Sequence, residues 1–560
     1  MRIRIFPIAI GICGVNKFMK ILGITHPITH NNAACILVDG KLVAFAEEER
    51  FIRYKNAPKI PAKWAMDYCL RTAGLKLEDI DYIAVGYGDW YKCIWPNFKS
   101  QSPGRAIAKT KSMVRQLRWF RWFQPFDFRD PRVINVNHHM AHAASSFFVS
   151  GMDKANIMTL DGSGDSESGI LAYGEGANIT AYHHVSREGS WGSLYEMFTK
   201  VLGFQAGSEE GKTMGLASLG IPDIGSLDFI DWEADPVPRI IPEKRDEFLK
   251  KIKRRERGGE ITDYHKNLAA SLQAALEKTG LMMVEYLYKK TGSKNLCLAG
   301  GVALNCSMNG KLLQSEFVDN IYIQPASSDA GTALGAAIHV HVEKTGKKPD
   351  FIMDHAYWGP EYSNEEIEPL IKECKVAKWR KCDDVCKEAA KKLADNKIVG
   401  WFQGRLEIGP RALGNRSILG NPSNPKMKDM INKYVKKRED WRPFAPSMLE
   451  EYAADYVEGY FNSPFMILAF NVREDKKDEI ISASHLDHTV RVQSVSKRTN
   501  PRYWHLIDNF RKITGVPVVI NTSFNIAGEP IVCSPRDALR TFFASGMDCL
   551  AIGDYLIEKD

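Results

Sequence analysis

Three short strands in a row occur twice in the sequence, and this repeat constrains the fold more than any other feature. The first copy occupies residues 20–46, with the two-residue turn Asp39-Gly40 before its third strand. The second copy occupies residues 155–183, with the polar loop 161–165 at its first bend and Glu175-Gly176 at its second. We therefore predict an internal duplication. The predicted strands are residues 20–25, 33–38, 41–46, 155–160, 168–173 and 178–183.

A chain of 560 residues exceeds what one hydrophobic core usually supports, so we expect at least two domains. A three-stranded unit that occurs twice, each time followed by helical segments, fits the duplicated actin-like (ASKHA) ATPase fold, whose polar loops face a nucleotide. After a linker at 360–364 the pattern predicts a helix at 383–396 and strands at 397–402 and 516–521. The predicted class is α/β, with an actin-like domain at 19–355 and a second α/β domain at 365–560.

The overall charge does not imply nucleic acid and fits a small anionic substrate equally well. Lys and Arg number 75 against 68 Asp and Glu, and the formal net charge of +7 is small for a long chain. The 11 cysteines include no CxxC pair, as expected for reduced thiols in a cytoplasmic protein. No apolar run reaches about 18 residues, so we expect no membrane span. Residues 1–18 could be a short signal peptide, but no cleavage site follows their apolar run. We favour an extension ahead of an internal start at Met19, because the first predicted strand begins just after it.

A segment between the two copies, residues 90–132, is rich in Trp, Phe, Lys and Arg. Aromatic residues interleaved with basic ones could stack on the bases of a nucleic acid. We instead favour an insertion that faces the substrate or a second subunit in a homodimer.

Histidines in residues 138–144 form the clearest chemical motif. His138 and His142 are four residues apart, so on a helix they project from one face and can share a divalent metal. Asp329, where a loop meets an Ala/Gly-rich helix, and Asp161 are candidate carboxylate ligands. Such a set suits iron or manganese better than a closed zinc site. The alternatives are a helix cap and a surface histidine for the pair, and an N-cap for Asp329.

Glycine-rich segments could approach phosphate groups closely through their backbone N–H groups. The candidates are residues 162–165, 207–215 and 300–301, and none of them meets the Walker pattern. The alternative for each segment is an ordinary turn.

The C-terminal part carries cations beside prolines and glycines, at residues 409–417, 436–446 and Arg491. Guanidinium groups near rigid turns suit a bidentate oxyanion, with a solvated charge run as the alternative. Residues 521–525 add hydroxyl and amide donors of the kind that bind an acyl carbonyl.

Seven strings of the sequence together resemble the carbamoyltransferase family of the nodulation and antibiotic-tailoring type (NodU/CmcH), and the likeness runs from about Lys20 to the C-terminus. The strings are long and specific in combination. They are residues 46–51, 138–144, 210–217, 300–305, 409–417, 442–446 and 521–525. Such enzymes resemble a fusion of the actin-like domain of tRNA threonylcarbamoyl transferases with a YrdC-like domain.

The resemblance implies an ATP-dependent O-carbamoyltransferase that works in two steps. The YrdC-like domain would make carbamoyl adenylate from carbamoyl phosphate and ATP, with magnesium accompanying the ATP. The actin-like domain would pass the carbamoyl group to a hydroxyl of a small-molecule acceptor, a natural product or a sugar.

The resemblance also assigns residues to these steps. It implies Fe(II), with manganese or zinc as alternatives, at His138, His142, Asp161 and Asp329, and it implies His30 as the base that activates the acceptor. It implies nucleotide or adenylate contacts at Lys55, Asp161, Gly162, Gly164, Asp165, Gly211, Lys212, Gly300, Gly301 and Asn305. It implies carbamoyl-phosphate contacts at Arg411, Lys436, Arg491 and Ser523.

Two residues depart from the family pattern near the acceptor side. Asn32 stands two residues after His30, where an acidic residue is usual, and Asn56 follows Lys55, where a histidine is usual. Both departures put the identity of the acceptor in doubt.

Two other functions are alternatives. The first is a tRNA threonylcarbamoyl-type modification enzyme, in which the basic aromatic insertion would bind RNA, although that chemistry normally divides the two domains between proteins. The second is a non-catalytic ATP-dependent sensor or scaffold, against which the candidate sites in both domains argue.

Overall fold

The computed structural model describes residues 18–88, 126–127, 129–375 and 378–559, which form two compact units. The predicted extension, apart from residue 18, and most of the predicted insertion at 90–132 lie outside the described residues. Among the described residues, no helix is long and apolar enough to cross a membrane. Of the described residues, those within 18–187, Asn295–Gly301 and Tyr322–Met353 form the first unit, and those within Glu188–Lys294, Val302–Ile321 and 354–559 form the second.

Strands and helices alternate along most of the described chain. The strands are β1 Lys20–Ile24, β2 Ala33–Val38, β3 Lys41–Glu47, β4 Tyr82–Val85, β5 Val133–Asn135, β6 Lys154–Gly164, β7 Glu167–Glu175, β8 Asn178–Ser186, β9 Ile230–Asp231, β10 Arg239–Ile240, β11 Asn295–Ala299, β12 Asn320–Ile323, β13 Lys378–Lys381, β14 Val399–Phe402, β15 Arg416–Gly420, β16 Ala445–Leu449, β17 Ala469–Asn471, β18 Thr489–Arg491, β19 Gln493–Val495, β20 Val518–Ser523, β21 Cys549–Ile552 and β22 Tyr555–Glu558. The α-helices are α1 Glu48–Ile52, α2 Lys63–Thr72, α3 His138–Phe147, α4 Trp191–Val201, α5 Glu210–Ala217, α6 Pro242–Lys251, α7 Asp263–Thr291, α8 Cys306–Leu313, α9 Ala330–Thr345, α10 Asn364–Glu373, α11 Val385–Ala394, α12 Met427–Met430, α13 Ala453–Tyr456, α14 Pro501–Thr514 and α15 Pro535–Phe543. A π-helix spans Ile431–Lys436, and short 3-10 helices span Leu77–Asp79, Ile224–Ser226, Gly301–Leu304, Glu450–Tyr452, Glu474–Lys476 and Ile481–Ala483.

Two five-stranded sheets are built on the two copies of the repeat. One has the order β3-β2-β1-β4-β5, and the other has the order β12-β11-β6-β7-β8. In both sheets the three repeat strands form an antiparallel meander, and the next strand pairs in parallel with the first of the three. The predicted duplication is therefore confirmed.

Helices α3 and α9 of the first unit pack against each other, and each also covers a sheet. Helix α9 lies on β1, β2 and β4, whereas α3 lies on β6, β7 and β11. The two helices approach closely because Gly335 of α9 faces the backbone of α3, where an added Cβ would stand 1.7 Å from the carbonyl oxygen of Ala141. A small residue thus determines how near the two helix axes come.

One predicted loop differs from the structure. Residues 161–164 continue strand β6 instead of leaving the sheet, and pairing resumes at Gly164 with Glu167 after a register shift. The turn itself is confined to Asp165 and Ser166, which have positive φ angles of 50° and 72°. The irregularity between Leu160 and Gly164 interrupts the pairing of β6 with β7, so the polar residues 161–163 lie within the strand without regular partners.

The second unit contains a mixed eight-stranded sheet with the order β13-β22-β21-β14-β15-β20-β16-β19. Helix α11 packs on α14, and α15 packs on β14 and β21. The predicted helix at 383–396 and strands at 397–402 and 516–521 correspond to α11, β14 and β20 with shifted ends. The α/β class predicted for both parts of the chain is confirmed.

Arg416, the first residue of β15, is fully buried, and its Nη1 and Nη2 atoms donate to backbone carbonyl groups. Nη1 donates to the carbonyl oxygens of Gln403 at 2.6 Å and Gly404 at 3.1 Å, and Nη2 donates to that of Pro360 at 3.1 Å. The guanidinium also lies 3.7 Å from the centre of the Phe402 ring. Arg416 therefore holds three chain segments together, although it belongs to a string that resembles a ligand-binding motif.

Replacement of Arg416 by methionine should destabilise the protein. The Arg416→Met variant leaves several buried carbonyl groups without a donor, a loss of about 3 kcal/mol that lowers the thermal unfolding midpoint by about 6–12 °C. Scanning calorimetry measures that midpoint. Arg536→Met is the control, because Arg536 pairs with Glu373 on the surface and should shift the midpoint by less than about 2 °C. Equal midpoints for the two variants would contradict this role of Arg416.

Candidate functional site

Helix α3 places two histidine rings side by side in the interior of the first unit. The helix begins where the Asn137 side chain accepts a hydrogen bond from the Met140 backbone N–H at 3.0 Å. His138 and His142, one turn apart, are both fully buried, and their Nε2 atoms are 3.1 Å apart. The helical HxxxH arrangement predicted from spacing is present, and neither histidine lies on the surface.

Two carboxylates complete this cluster. Asp161 Oδ2, from the bulged end of β6, is 3.3 Å from His138 Nε2 and 3.5 Å from His142 Nε2. Asp329 Oδ1 is 3.7 Å from His138 Nε2. Asp329 is the N-cap residue of α9, but its side chain makes no capping hydrogen bond within the described part of the chain. Ligand atoms from the four residues all lie within 4.8 Å of one another.

Neighbouring backbone groups set the orientation of His138. Its Nδ1 lies 3.2 Å from the carbonyl oxygen of Gly86, so the other ring nitrogen faces the carboxylates. The Asp165 carboxylate accepts hydrogen bonds from the backbone N–H of His138 at 2.6 Å and of Gly88 at 2.8 Å. Gly164 leaves room for the ring, because an added Cβ would stand 2.0 Å from His138 Cδ2. The sequence alone does not indicate that the Gly86 carbonyl group orients His138.

The four side chains perturb one another's protonation. Burial opposes charge on His138, but the hydrogen bond to Asp161 and the charges of Asp329, Asp161 and Asp165 outweigh it and raise its pKa to about 9. Burial lowers the pKa of His142. Hydrogen bonds from both histidines outweigh burial and hold the pKa of Asp161 well below its usual value. Burial, reinforced by the charge of Asp161, raises the pKa of Asp329.

This donor set fits a divalent transition metal. Two imidazole nitrogens and two carboxylates are ligands that iron and manganese share and that zinc also accepts. The second ring nitrogen of His138 is held by a carbonyl group, as is usual for a metal-bound histidine. The residues predicted as metal ligands are therefore brought together in one buried cluster.

His30 lies at the edge of this cluster. Its Nδ1 is 3.7 Å from Asp329 Oδ2, and 47% of its side chain is exposed, so solvent reaches the imidazole. Lys55 is exposed in the loop between α1 and α2. The two loops are joined, since the backbone N–H of Asn31 donates to the Asn56 carbonyl oxygen at 2.6 Å. This joins the loop of the predicted base to the loop of the predicted phosphate-binding lysine.

Asn32 also connects these two loops, from a buried position beneath them. It is fully buried, and its Nδ2 donates to the carbonyl oxygen of Ala57 at 3.1 Å. Its Oδ1 accepts a hydrogen bond from Thr25 Oγ1 at 2.7 Å. One departure from the family pattern therefore lies beneath the loops, where a neutral amide donates to a carbonyl group that a carboxylate would repel.

Several glycines predicted to line a nucleotide pack against this same cluster. Gly162 and Gly301 donate their backbone N–H groups to Asp161 Oδ1, at 2.8 Å and 3.3 Å. Gly300 has a φ angle of 90°, and an added Cβ would stand 2.2 Å from the Leu160 carbonyl oxygen. Glycine at these positions lets two backbone segments meet at Asp161.

In the second unit, the predicted nucleotide contacts lie on α5 and at the start of α8. Gly211 is on α5, where an added Cβ would meet no atom within 4 Å. Lys212 Nζ forms ion pairs with Glu209 at 2.8 Å and Glu439 at 3.0 Å. Asn305 caps α8 through a hydrogen bond from the Met308 backbone N–H, and its side chain also pairs with that of Gln273. Lys212 and Asn305 are thus held in fixed positions.

The predicted oxyanion-binding residues also lie in the second unit. Lys436, at the end of the π-helix, donates from Nζ to Ser523 Oγ at 3.3 Å and to Asn525 Oδ1 at 3.0 Å. Ser523 Oγ in turn donates to Asn525 Oδ1 at 2.6 Å. The structure thus brings Lys436 and Ser523 into contact, with Asn525 as a third polar group that the sequence analysis did not single out.

Two arginines of this set, Arg411 and Arg491, form no ion pair with a carboxylate among the described residues. Arg411 Nη2 donates to the Leu304 carbonyl oxygen at a long 3.4 Å. The Nε atoms of Arg411 and Arg491 are buried and have no hydrogen-bond partner among the described residues. Burial, with repulsion from Arg491, lowers the pKa of Arg411 to about 9. Partly buried guanidinium groups that form no ion pair with a carboxylate in the described part of the chain suit an anionic ligand.

Metal binding should depend on the cluster and not on neighbouring histidines. His142→Ala should weaken binding of Fe(II), Mn(II) or Zn(II), each measured separately by equilibrium dialysis, by about two orders of magnitude or more. His139→Asn is the control, because His139 is equally buried on the same helix and packs against His138, but its Nδ1 contacts Thr159 Oγ1 and it supplies no ligand atom to the cluster. Equal losses in both variants would show that the cluster is not the metal site.

Comparison with known proteins agrees with the features described above. The family model "Carbamoyltransferase N-terminus" matches residues 20–338, and "Carbamoyltransferase C-terminus" matches residues 390–559. Nodulation protein NolNO of Sinorhizobium fredii is 40% identical over 551 residues, which are 96% of this chain and 80% of that protein. Nodulation protein NolO of Bradyrhizobium diazoefficiens is 41% identical over 441 residues, 76% of this chain and 79% of that protein. The chain therefore belongs to the carbamoyltransferase family and is an enzyme that transfers a carbamoyl group.

Proposed function

We propose that this enzyme is an ATP-dependent O-carbamoyltransferase that moves a carbamoyl group from carbamoyl phosphate, through carbamoyl adenylate, to a hydroxyl of a small molecule. The observation that carries the proposal is a pair of partly buried arginines in a carbamoyltransferase, Arg411 and Arg491, whose buried Nε atoms have no partner among the described residues. Such groups provide the bidentate donors that a phosphate dianion requires. An actin-like domain at 19–355 and a YrdC-like domain at 365–560 would divide the work.

The first step would use the cationic residues of the second unit. Arg411, Arg491 and Lys436 would hold the phosphate of carbamoyl phosphate, and Ser523 would donate to the same molecule. Carbamoyl phosphate, ATP with its magnesium, and water would yield carbamoyl adenylate, pyrophosphate and inorganic phosphate. Fixed cations stabilise the charge on the departing phosphate groups without reorganisation during the reaction.

The second step would use the histidine and carboxylate cluster of the first unit. His30, partly exposed beside Asp329, would accept the proton of the acceptor hydroxyl as it attacks the carbamoyl carbon, with AMP as the leaving group. His138, His142, Asp161 and Asp329 would hold Fe(II), with manganese or zinc as alternatives, and such a metal supplies a Lewis acid for a carbonyl or phosphate oxygen. Lys55 and the glycines around Asp161 would contact the adenylate. The acceptor would be a natural product or a sugar.

Adenylate formation should be detectable without knowledge of the acceptor. The purified protein should exchange labelled pyrophosphate into ATP only when carbamoyl phosphate is present, because carbamoyl adenylate is the species that pyrophosphate attacks. Exchange without carbamoyl phosphate, or formation of ADP alone, would contradict the proposed reaction.

The two steps should separate by mutation. Arg411→Ala should lower pyrophosphate exchange at subsaturating carbamoyl phosphate by about 10²–10³-fold, since a charge-assisted contact to the phosphate of the substrate is lost. His138→Ala should lose bound metal and carbamoyl transfer but keep exchange within about threefold of wild type, because no proposed contact to carbamoyl phosphate is lost. Loss of exchange in a folded His138→Ala protein would overturn the division of labour.

A further inference from the structure

A network of neutral buried side chains lies directly behind the cationic residues of the second unit. Ser447 on β16, Gln493 on β19 and Asn521 on β20 are each at most 1% exposed. Ser447 Oγ donates to Gln493 Oε1 at 2.6 Å, and Asn521 Nδ2 lies 2.9 Å from Ser447 Oγ and 3.0 Å from Gln493 Oε1. The register of the sheet sets these contacts, because Ser447 and Gln493 are direct partners in the parallel pair of β16 and β19.

Each amide of this network also donates to the loop that carries Arg411. Gln493 Nε2 donates to the Leu413 carbonyl oxygen at 2.7 Å, and Asn521 Nδ2 lies 3.0 Å from that of Ala412. Tyr357 Oη donates to the Leu413 carbonyl oxygen as well, at 2.8 Å. The backbone just after Arg411 is therefore fixed by side chains from two strands of the sheet, β19 and β20, and by one tyrosine.

The same two amides lie next to the other oxyanion-binding residues along the chain. Arg491 is two residues before Gln493, and Ser523 is two residues after Asn521. Asn521 and Ser523 both belong to β20, where side chains two residues apart share a side, whereas Arg491 ends β18 just before Gln493 begins β19. Movement of either amide would therefore shift the loop of Arg411 and the strand of Arg491 or Ser523 together.

Arg411 and Arg491 need this external support, because they repel each other. Their Nε atoms have no partner within the described chain, and the one hydrogen bond found for Arg411 is long. A carboxylate could hold them, but it would neutralise the charge that attracts a phosphate. Neutral amides that donate hydrogen bonds to carbonyl groups fix the backbone and leave the positive charge of the arginines available to the ligand.

We propose that Gln493 and Asn521 are positioning residues that hold Arg411, Arg491 and Ser523 in the geometry that binds the phosphate of carbamoyl phosphate. This inference rests on the proposed function of these three residues. Neither amide touches the ligand in this assignment, and both act through the loop and strands that they connect. Preorganisation of this kind improves binding of the substrate more than the rate of its conversion.

Steady-state pyrophosphate exchange with the full-length protein tests the proposal. Gln493→Met and Asn521→Leu keep side-chain volume but remove the donors to the loop, and they should raise the KM for carbamoyl phosphate about 10–100-fold. The KM for ATP and the kcat should stay within about threefold of wild type. Inorganic phosphate should lose affinity as a competitor by the same factor as carbamoyl phosphate.

Two control variants separate positioning from general damage. Ser447→Ala breaks the link inside the network but leaves both bonds to the loop, so the KM should change by less than about threefold. Asn421→Leu removes a buried amide of the same unit that contacts Asn396 instead of the network, and its KM should equal that of wild type. If either control raises the KM as much as Gln493→Met does, the proposal is wrong.

If a substitution of Gln493 or Asn521 prevents folding, a milder variant and a binding measurement test the positioning role instead. Tyr357→Phe removes one hydroxyl and one of the two donors to Leu413, so the KM should rise about fivefold. Calorimetric titration with inorganic phosphate requires no turnover and should show the same order of affinities. If Gln493→Met or Tyr357→Phe binds phosphate with wild-type affinity, the positioning role is wrong. If the wild-type protein binds phosphate but shows no pyrophosphate exchange, only the proposed function is wrong.

Discussion

The close contact between helices α3 and α9 determines the chemistry of the first unit. One helix carries both histidines and the other begins at Asp329, so the spacing of the two helices sets the distance from imidazole to carboxylate. Gly335 permits that spacing, because any larger residue would collide with the backbone at Ala141. Each helix also covers one of the two repeated sheets, so the duplicated architecture places the cluster on the inside of this unit.

In the second unit, uncharged carbonyl and amide groups hold the arginine side chains and the backbone beside them. Arg416 is fully buried, and its Nη1 and Nη2 atoms donate to carbonyl oxygens of several chain segments. Arg411 lies five residues earlier and is partly buried; the hydrogen bond that its guanidinium makes among the described residues is long, and its backbone is held by amide side chains. Burial of a cation without a carboxylate is unfavourable unless a ligand supplies the missing charge. The contrast between these two arginines is the clearest physical sign of an anion site in this unit.

Hydrogen bonds to backbone groups explain which candidate residues are exposed to a ligand and which are not. Asp165 belongs to the glycine-rich segment, yet its carboxylate holds the start of α3. Asn32 departs from the family pattern, yet it is buried beneath the two loops that carry His30 and Lys55. In both cases a polar residue near a site supports the geometry of the backbone, a role that residue type alone does not reveal.

Local spacing within the sequence determined the duplicated strands, the HxxxH helix and the strings that resemble a carbamoyltransferase, because strand and helix periodicity and family motifs are properties of neighbouring residues. The convergence of Asp161 and Asp329 on His138 was expected from the resemblance, but the distances depend on helix packing. Only the tertiary structure decided that Arg416 is structural and that Gln493 and Asn521 connect the loop of Arg411 to the sheet. Such roles depend on which backbone carbonyl groups come within hydrogen-bond distance of a side chain 80 to 109 residues away in the chain, and no local pattern encodes that distance.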